Sequence, residues 1–313
     1  MVKSTVQAFV NRITAVSLVG VDLGSSALKA VEVERSNGRV RLRRCAVVPV
    51  EEGNVTAALN QLVSRAGIAA AHVAVGLASP EVIVKPVQFP PMPPKELRSA
   101  VRLEAEQAIL NGHTLNEMAL DWHPLASPSK DLLRGLLAVV PQDAVSARLH
   151  IAEAAGLRPA VVDVEGLALW NAYWVLIGSQ EAASKTVLLM NVGAKTTNLV
   201  IAKGPDELIL IRDLQLGAGS LQHGQAPDWM TEVRDSLGYA RAQGGLRALD
   251  AVYVTGGGAG PDLLPSLTAT VAAPVTFWNP LNQLARDTES AAVEDSLGPL
   301  LAIAIGLALR QPS

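Results

Sequence analysis

The alternation of apolar and polar positions divides residues 15 to 50 into three short strands, AVSLVGVDLG, LKAVEVERS and RVRLRRCAVVPV. The last two are joined by Asn37-Gly38, a pair favoured in tight hairpins. Val55, Leu59 and Leu62 then recur at helical spacing and predict a helix over about 54–66. AHVAVGLAS and EVIVKPVQF predict two more strands, and the prolines from 90 to 94 mark a break. Beyond it PKELRSAVRLEAEQAI is a charged amphipathic helix, with Pro94 at a position that a helix start accepts. ALDWHPLA and LRGLLAVVP form a strand pair, and QDAVSARLHIAEAAG is the next helix.

The order then recurs. PAVVDVEGLALWNAYWVL runs from strand into helix, and TVLLMNVGAKTTNLVIAKGPDELILIRDLQLG again reads as three strands. Set against SLVGVDLGSSALKAVEVERSNGRVRLRR, it has the same apolar strand, glycine turn with hydroxyls, second strand, turn and third strand. This suggests an internal duplication facing itself across a cleft; chance likeness of two hairpins is the bland alternative. A third glycine turn follows in AVYVTGGGAGPDLLPSL, where Gly256-Gly257-Gly258 lie between an apolar strand and a helix beginning near Pro261-Asp262. Such a turn lets a ligand approach the backbone, and a helix start offers free N–H groups to an anion.

Composition narrows the class. With 313 residues, 49% hydrophobic and 18% charged, the chain can bury one large core or two medium ones. A net charge of -3 gives no reason to expect nucleic acid. The basic cluster RVRLRRC at 39–45 alternates with Val and Leu and reads as a solvated strand face. The single cysteine, Cys45, excludes an internal disulfide and suits a reducing cytoplasm. No run approaches the roughly 20 apolar residues that cross a bilayer, and LGPLLAIAIGLAL at 297–309 reads as a buried helix. Asn11 and Arg12 interrupt any signal-peptide core, so the chain is expected in the cytoplasm. His72, His113, His123, His150 and His223 show no metal-ligand spacing. Ser25 and Ser26 lack the His and acid a hydrolase needs. Trp170 and Trp174 share a helix face suited to core packing, while Trp122 and Trp229 are open between core and exposed binding face.

Two hydroxyl-bearing hairpins and a glycine turn before a helix are what a nucleotide cleft between lobes requires, since tight turns aim several N–H donors at one spot. Asp22 would hold magnesium through water, because that ion keeps much of its hydration shell.

These motifs resemble the actin-like ATPase superfamily: VGVDLGSSALKAVEVE its first phosphate motif, MNVGAKTTNLVI its second, VYVTGGGAGPDLLPSL its adenosine motif. HVAVGLASPEVIVKPVQFPPMPPKELRSAVRLEAEQAI, VVDVEGLALWNAY and LGPLLAIAIGLALR are similar to the PilM family of type IV pilus assembly proteins, relatives of FtsA, over about residues 17–310 with one gap. The resemblance implies an α/β, actin-like (ribonuclease H-like) duplicated two-lobed fold. Its first lobe would span 15–160, with an inserted subdomain at about 72–140, and its second 161–313, reduced on the adenine side at about 221–245. It implies ATP and Mg2+ at Asp22, Gly24, Ser25, Ser26 and Lys29, at Gly193, Lys195, Thr196 and Thr197, and at Gly256, Gly257 and Gly258, with Glu165 orienting the attacking water. It implies a scaffold at the cytoplasmic face of the inner membrane that grips the N-terminal peptide of a PilN-like membrane protein and links it to other pilus or secretion components.

Two departures matter. Asn191 stands where the superfamily has aspartate, so it offers a metal no charge. Only QHGQAPD separates Leu221 from the next helix, where relatives carry much of one adenine-pocket wall. ATP binding is therefore expected to be weak or lost, and the chain to be at most a weak ATPase. The peptide groove is expected where the insert meets the first lobe, with Val84 and Val87 of EVIVKPVQF lining it and the peptide adding to a strand edge. The alternative is an active ATPase or small-molecule kinase of the same fold, with Asp163 or Glu165 as base. A filament former like FtsA is a third reading.

Overall fold

β1 (Val19–Leu23) is buried along its whole length, which an apolar strand achieves when both faces of its sheet are covered. The computed structural model describes residues 18–36, 38–109, 113–127, 129–178, 184–222, 226–286 and 293–310. β1 pairs antiparallel with β2 (Ala27–Ser36), and β2 pairs with β3 (Arg39–Pro49). On its other side β1 pairs parallel with β4 (His72–Leu77), and β4 with β8 (Arg158–Val164). The first sheet is thus ordered β3-β2-β1-β4-β8. A second sheet repeats the order and the orientations with β9 (Thr186–Val192), β10 (Thr197–Lys203), β11 (Glu207–Leu214), β12 (Ala251–Thr255) and β13 (Val275–Phe277), as β11-β10-β9-β12-β13. These sheets are the cores of two lobes.

Between β4 and β8 the chain builds a three-stranded antiparallel sheet from β5 (Ile83–Phe89), β6 (Met118–Leu125) and β7 (Leu133–Pro141), ordered β5-β7-β6. The helices are α1 (Val55–Ala66), α2 (Pro94–Ala108), α3 (Gln142–Ala154), α4 (Glu165–Ile177), α5 (Ala218–Gln222), α6 (Ala226–Gln243), α7 (Leu264–Val271) and α8 (Ala302–Ala308). The Asn54 side chain accepts from the Ala57 N–H at 3.0 Å and caps α1. Pro94 opens α2, as its sequence predicts.

The predicted strands and helices stand where periodicity places them. Asn37 of the predicted hairpin lies outside the described residues, while Gly38 turns at φ +74°. β13 and α5 were not anticipated, because three and five residues are too short to establish a period. The tail reading is met: every residue of α8 is buried, as a helix apolar on all sides must be. It lies on β1, β2 and β4 and crosses α4, which in turn lies on β9, β10 and β11. The chain therefore passes between the lobes through two crossed helices.

Candidate functional site

The register that pairs Asp22 with Lys29 sets both side chains beside the first turn, Gly24-Ser25-Ser26. Their salt bridge is 3.0 Å long and nearly closed to solvent. A Cβ on Gly24 would stand 2.6 Å from the Lys29 amine, so the lysine folds directly over the turn. The second turn, Gly193 to Thr196, closes with the Gly193 N–H donating to the Thr196 carbonyl at 2.9 Å. The third begins at Gly256, whose φ of +96° is left-handed backbone that a side chain resists.

The three turns meet. A pocket of about 230 Å³ is lined by Asp22, Ser26 and Lys29 from the first, Asn191 and Gly193 at the second, and Gly256, Gly257 and Gly258 from the third. Ala194, Ala218 and Leu300 complete its wall. Gly24 adjoins it, whereas Ser25 and Lys195 are exposed and do not line it. Thr196 gives its carbonyl to Gly193 instead. Thr197 is a correction: it is wholly buried, its hydroxyl donates to the Leu216 carbonyl at 2.8 Å and accepts the Trp229 indole N–H at 3.0 Å. It anchors α6, leaving nothing for a phosphate. Trp229 is likewise buried, so it marks no exposed binding face; Trp122 is half-buried.

A phosphate cradle needs free donors. Here the Gly256 N–H donates to the Pro299 carbonyl at 2.9 Å and the Gly258 N–H to the Val192 carbonyl at 2.8 Å. Ala218 and Gly219 likewise donate to the carbonyls of Gly193 and Ala194. The third turn is thus bonded to the end of β9 and the second to α5, and Lys29 is the basic side chain that lines the pocket.

The size and charge of the pocket bear on whether it could hold ATP and magnesium. The pocket is smaller than the roughly 300–1,000 Å³ of ordinary ligand pockets. Lys29 already neutralises the Asp22 carboxylate, and the Asn191 amide donates to Asn198 Oδ1 at 2.8 Å. Among the described residues no group of three or more His, Cys, Asp or Glu is placed to hold a metal ion.

Behind the pocket lies a polar chain around Glu165 whose other members, Asn198, Asp213 and Ser79, sequence reasoning missed. Asn198 donates its amide to Asp213 Oδ1 at 2.8 Å and to Glu165 Oε2 at 3.3 Å, and the Ser79 N–H donates to Asp213 Oδ2 at 3.3 Å. The β4–β5 connection, α4 and β11 are thereby tied together. Burial, with Asp22 and Asp213 nearby, pushes the Glu165 carboxyl up to about 8, against the smaller opposing pull of Arg148 and Lys29. Burial pushes Asp213 up to about 6, while the Asn198 and Ser79 hydrogen bonds pull it down. With its carboxyl raised to about 8, Glu165 is mostly protonated at pH 7, so only its ionised minority could take a proton from water. Asp163, the other candidate base, is bound by the Arg310 guanidinium through both carboxylate oxygens, one at 2.8 Å. The one visible sign was Asn198 itself, an amide inside an otherwise apolar strand run.

Val84 and Val87 do not line a groove, which corrects that expectation. Val84 is buried among residues such as Leu136, while Val87 packs with Phe89, Val101 and Leu137 beneath α2. Three residues apart on a strand, they face opposite sides. β5 lies close to β11, and Pro86 lacks the N–H that an added strand would need. Val84→Asp or Val87→Asp is therefore expected to cost about 3 kcal/mol or more, read as a fall in the urea midpoint. A variant that unfolds like the parent would overturn this burial.

Residues 20–227 match the family model described as Type IV pilus assembly protein PilM. Among solved structures the chain is similar to one from a PilM-PilN type IV pilus biogenesis complex. The two are 29% identical, with 94% of this chain and 98% of that chain covered and a TM-score of 0.78. A protein from Bacteroides thetaiotaomicron described as having an actin-like ATPase fold and unknown function aligns at TM-score 0.49 and 9% identity, over 85% of this chain and 94% of that one. The cytoplasmic domain of EpsL, an inner membrane component of the type II secretion system of Vibrio cholerae, aligns at TM-score 0.49 and 14% identity, over 93% and 94%.

Proposed function

The chain belongs to the type IV pilus assembly protein PilM family, and from that premise we propose that its two lobes form an actin-like ATPase fold used as a scaffold rather than as an enzyme. It grips the N-terminal peptide of a PilN-like inner-membrane protein from the cytoplasmic side and couples it to other pilus or secretion components. The observation that carries this reading is the likeness to the PilM-PilN chain along nearly the whole length of both.

On this reading the lobes span 15–160 and 161–313, and their shared strand order reflects duplication of one unit. The three-stranded sheet is the inserted subdomain, and the region at about 221–245 is a reduced adenine side. The peptide lies where that sheet meets the first lobe and is held by side-chain pockets rather than by strand addition to β5. The glycine cleft persists as architecture, with ATP binding weak or lost: the N–H groups of Gly193, Gly256 and Gly258 are taken by carbonyls, Lys29 pairs with Asp22, and Glu165 is mostly protonated at pH 7.

Isothermal titration tests this. A synthetic N-terminal PilN-type peptide is expected to bind with the same Kd with and without ATP and magnesium, and ATP with magnesium alone to give no heat. Absence of peptide binding would sink the adaptor. Micromolar ATP binding with turnover would favour the ATPase or small-molecule kinase instead.

A further inference from the structure

The three-stranded sheet is joined to the first lobe by short connections. Residues 78–82 lead from β4 into β5, and β7 passes directly into α3, which lies on β4 and β8. The β4–β5 connection is braced from within: Ser79 Oγ accepts the Glu81 N–H at 3.2 Å, and the Ser79 carbonyl accepts the Val82 N–H at 3.1 Å. Glu81 is held in turn by His113 at 2.8 Å. Built this way, the sheet moves with the first lobe.

Its other attachments are to the second lobe. β5 lies close to β11, the end strand of the second sheet, and Val84 and Leu136 share a buried cluster with Leu208 and Ile211 of β11. A polar tie stands at each end of that strand. At one, the Ser79 N–H donates to Asp213 Oδ2 at 3.3 Å, while Asn198 of β10 donates to Oδ1 at 2.8 Å and steadies the carboxylate. At the other, the Arg134 guanidinium of β7 donates to the Asp206 carbonyl at 3.5 Å. Burial raises the Asp206 carboxyl, against the pull of that same guanidinium. Seven residues separate Asp206 from Asp213, which at about 3.3 Å per residue of strand sets the ties roughly 23 Å apart. One tie would let the sheet swivel; two so far apart fix its orientation.

A body joined stiffly to one lobe and fastened to the other along a strand resists any change in the angle between them. Opening the cleft would tear Ser79 from Asp213 and bare apolar side chains beside β11. In enzymes that close on a substrate, the bound ligand brings the closure about. We propose that here the three-stranded sheet does so instead: it is a strap that holds the lobes at one fixed opening whether or not a nucleotide is present. The strap deepens the scaffold reading and rests on it in one respect, that ATP is dispensable. It gives a partner peptide a surface whose shape does not wait on a second ligand.

Pulsed electron spin resonance on the full chain tests this. In a Cys45→Ser background, spin labels at Asn60→Cys on α1 and Thr231→Cys on α6, both exposed, report the spacing of the lobes. Labels at Ser99→Cys on α2, also exposed, and Thr231→Cys report the docking of the sheet. The parent is expected to give one narrow distance for each pair, unmoved by ATP with magnesium. Asp213→Ala/Arg134→Ala cuts both ties, and both pairs should gain a second, longer population. Asp213→Asn keeps the shape of the side chain but accepts through one oxygen where the carboxylate accepts through two. It should show the same population to a smaller extent, so the result stands even where the double variant folds poorly. Glu104→Gln breaks the 2.6 Å ion pair with Lys85, between α2 and β5, and as the control leaves both distances alone. Unchanged distances in both Asp213 variants, an equal change in the control, or a parent distance that shortens with ATP and magnesium would overturn the strap. The heat of ATP binding and the Kd of the PilN-type peptide are read separately, so a failed strap leaves the adaptor standing and a failed adaptor leaves the distances as they are.

Discussion

Gly306→Ala is expected to lower stability by about 3 kcal/mol or more, read as a fall in the urea midpoint at unchanged m-value. The reason is the crossing of α8 and α4. A Cβ on Gly306 would stand 1.9 Å from the Ala168 carbonyl oxygen and 2.5 Å from its carbon. Both are backbone atoms, so no side chain can swing aside. The Gly306 carbonyl also accepts the Asn171 amide at 3.0 Å, which fixes the rotation of one helix on the other. On its far side α8 presses on β1, where a Cβ at Gly20 would lie 1.9 Å from the Ala304 carbonyl oxygen. The helix is a wedge between lobes, held at backbone contact on two faces. Gly238→Ala supplies the contrast: it lies within α6 with nothing within 4 Å of the added methyl. Removing glycine's backbone entropy there should raise stability by about 0.5–1 kcal/mol. Equal midpoints for Gly306→Ala and the parent would show that the helices do not cross so closely.

Glu165→Gln should change how stability depends on pH. In the unfolded chain a glutamate titrates near 4.3; in the fold burial holds Glu165 at about 8. Between those values the native state binds more protons than the unfolded one, so unfolding free energy falls as pH rises through that window and levels off above it. Asp213, at about 6, adds the same sign at lower pH. Each tenfold difference in proton affinity between the folded and unfolded chain is worth about 1.4 kcal/mol. The parent is therefore expected to be several kcal/mol more stable at pH 5 than at pH 8. Glutamine keeps an oxygen to accept from Asn198 and cannot ionise, so the variant should show a shallower slope and exceed the parent at pH 8. Unfolding midpoints at pH 5, 6, 7 and 8 decide the matter. Parallel curves would mean that Glu165 is ionised in the fold and available as a base after all.

The candidate site was legible only in outline. Asp22, Ser26, Lys29, Gly193 and the 256–258 turn were assigned to a nucleotide through the family resemblance of their motifs, and they do meet in one pocket. Thr197 was assigned a ligand role from its place in a motif, yet its hydroxyl serves Leu216 and Trp229. Val84 and Val87 were placed at a surface because their strand flanks a junction, yet an alternating strand between two packed layers buries residues on both faces. Arg310 and Asp163 are 147 positions apart, and nothing near either announces the other.

The sequence by itself determined where the three glycine turns and every strand and helix long enough to show a period fall, because period and turn chemistry are local and each such segment states its own. It also determined that α8 would be buried, since no face of that helix is polar. Only the tertiary structure decided what those turns can still do. Whether an N–H is free, a carboxylate neutral or a lysine already paired depends on groups from other segments brought within about 3 Å, and a free donor and a satisfied one are spelled with the same residue.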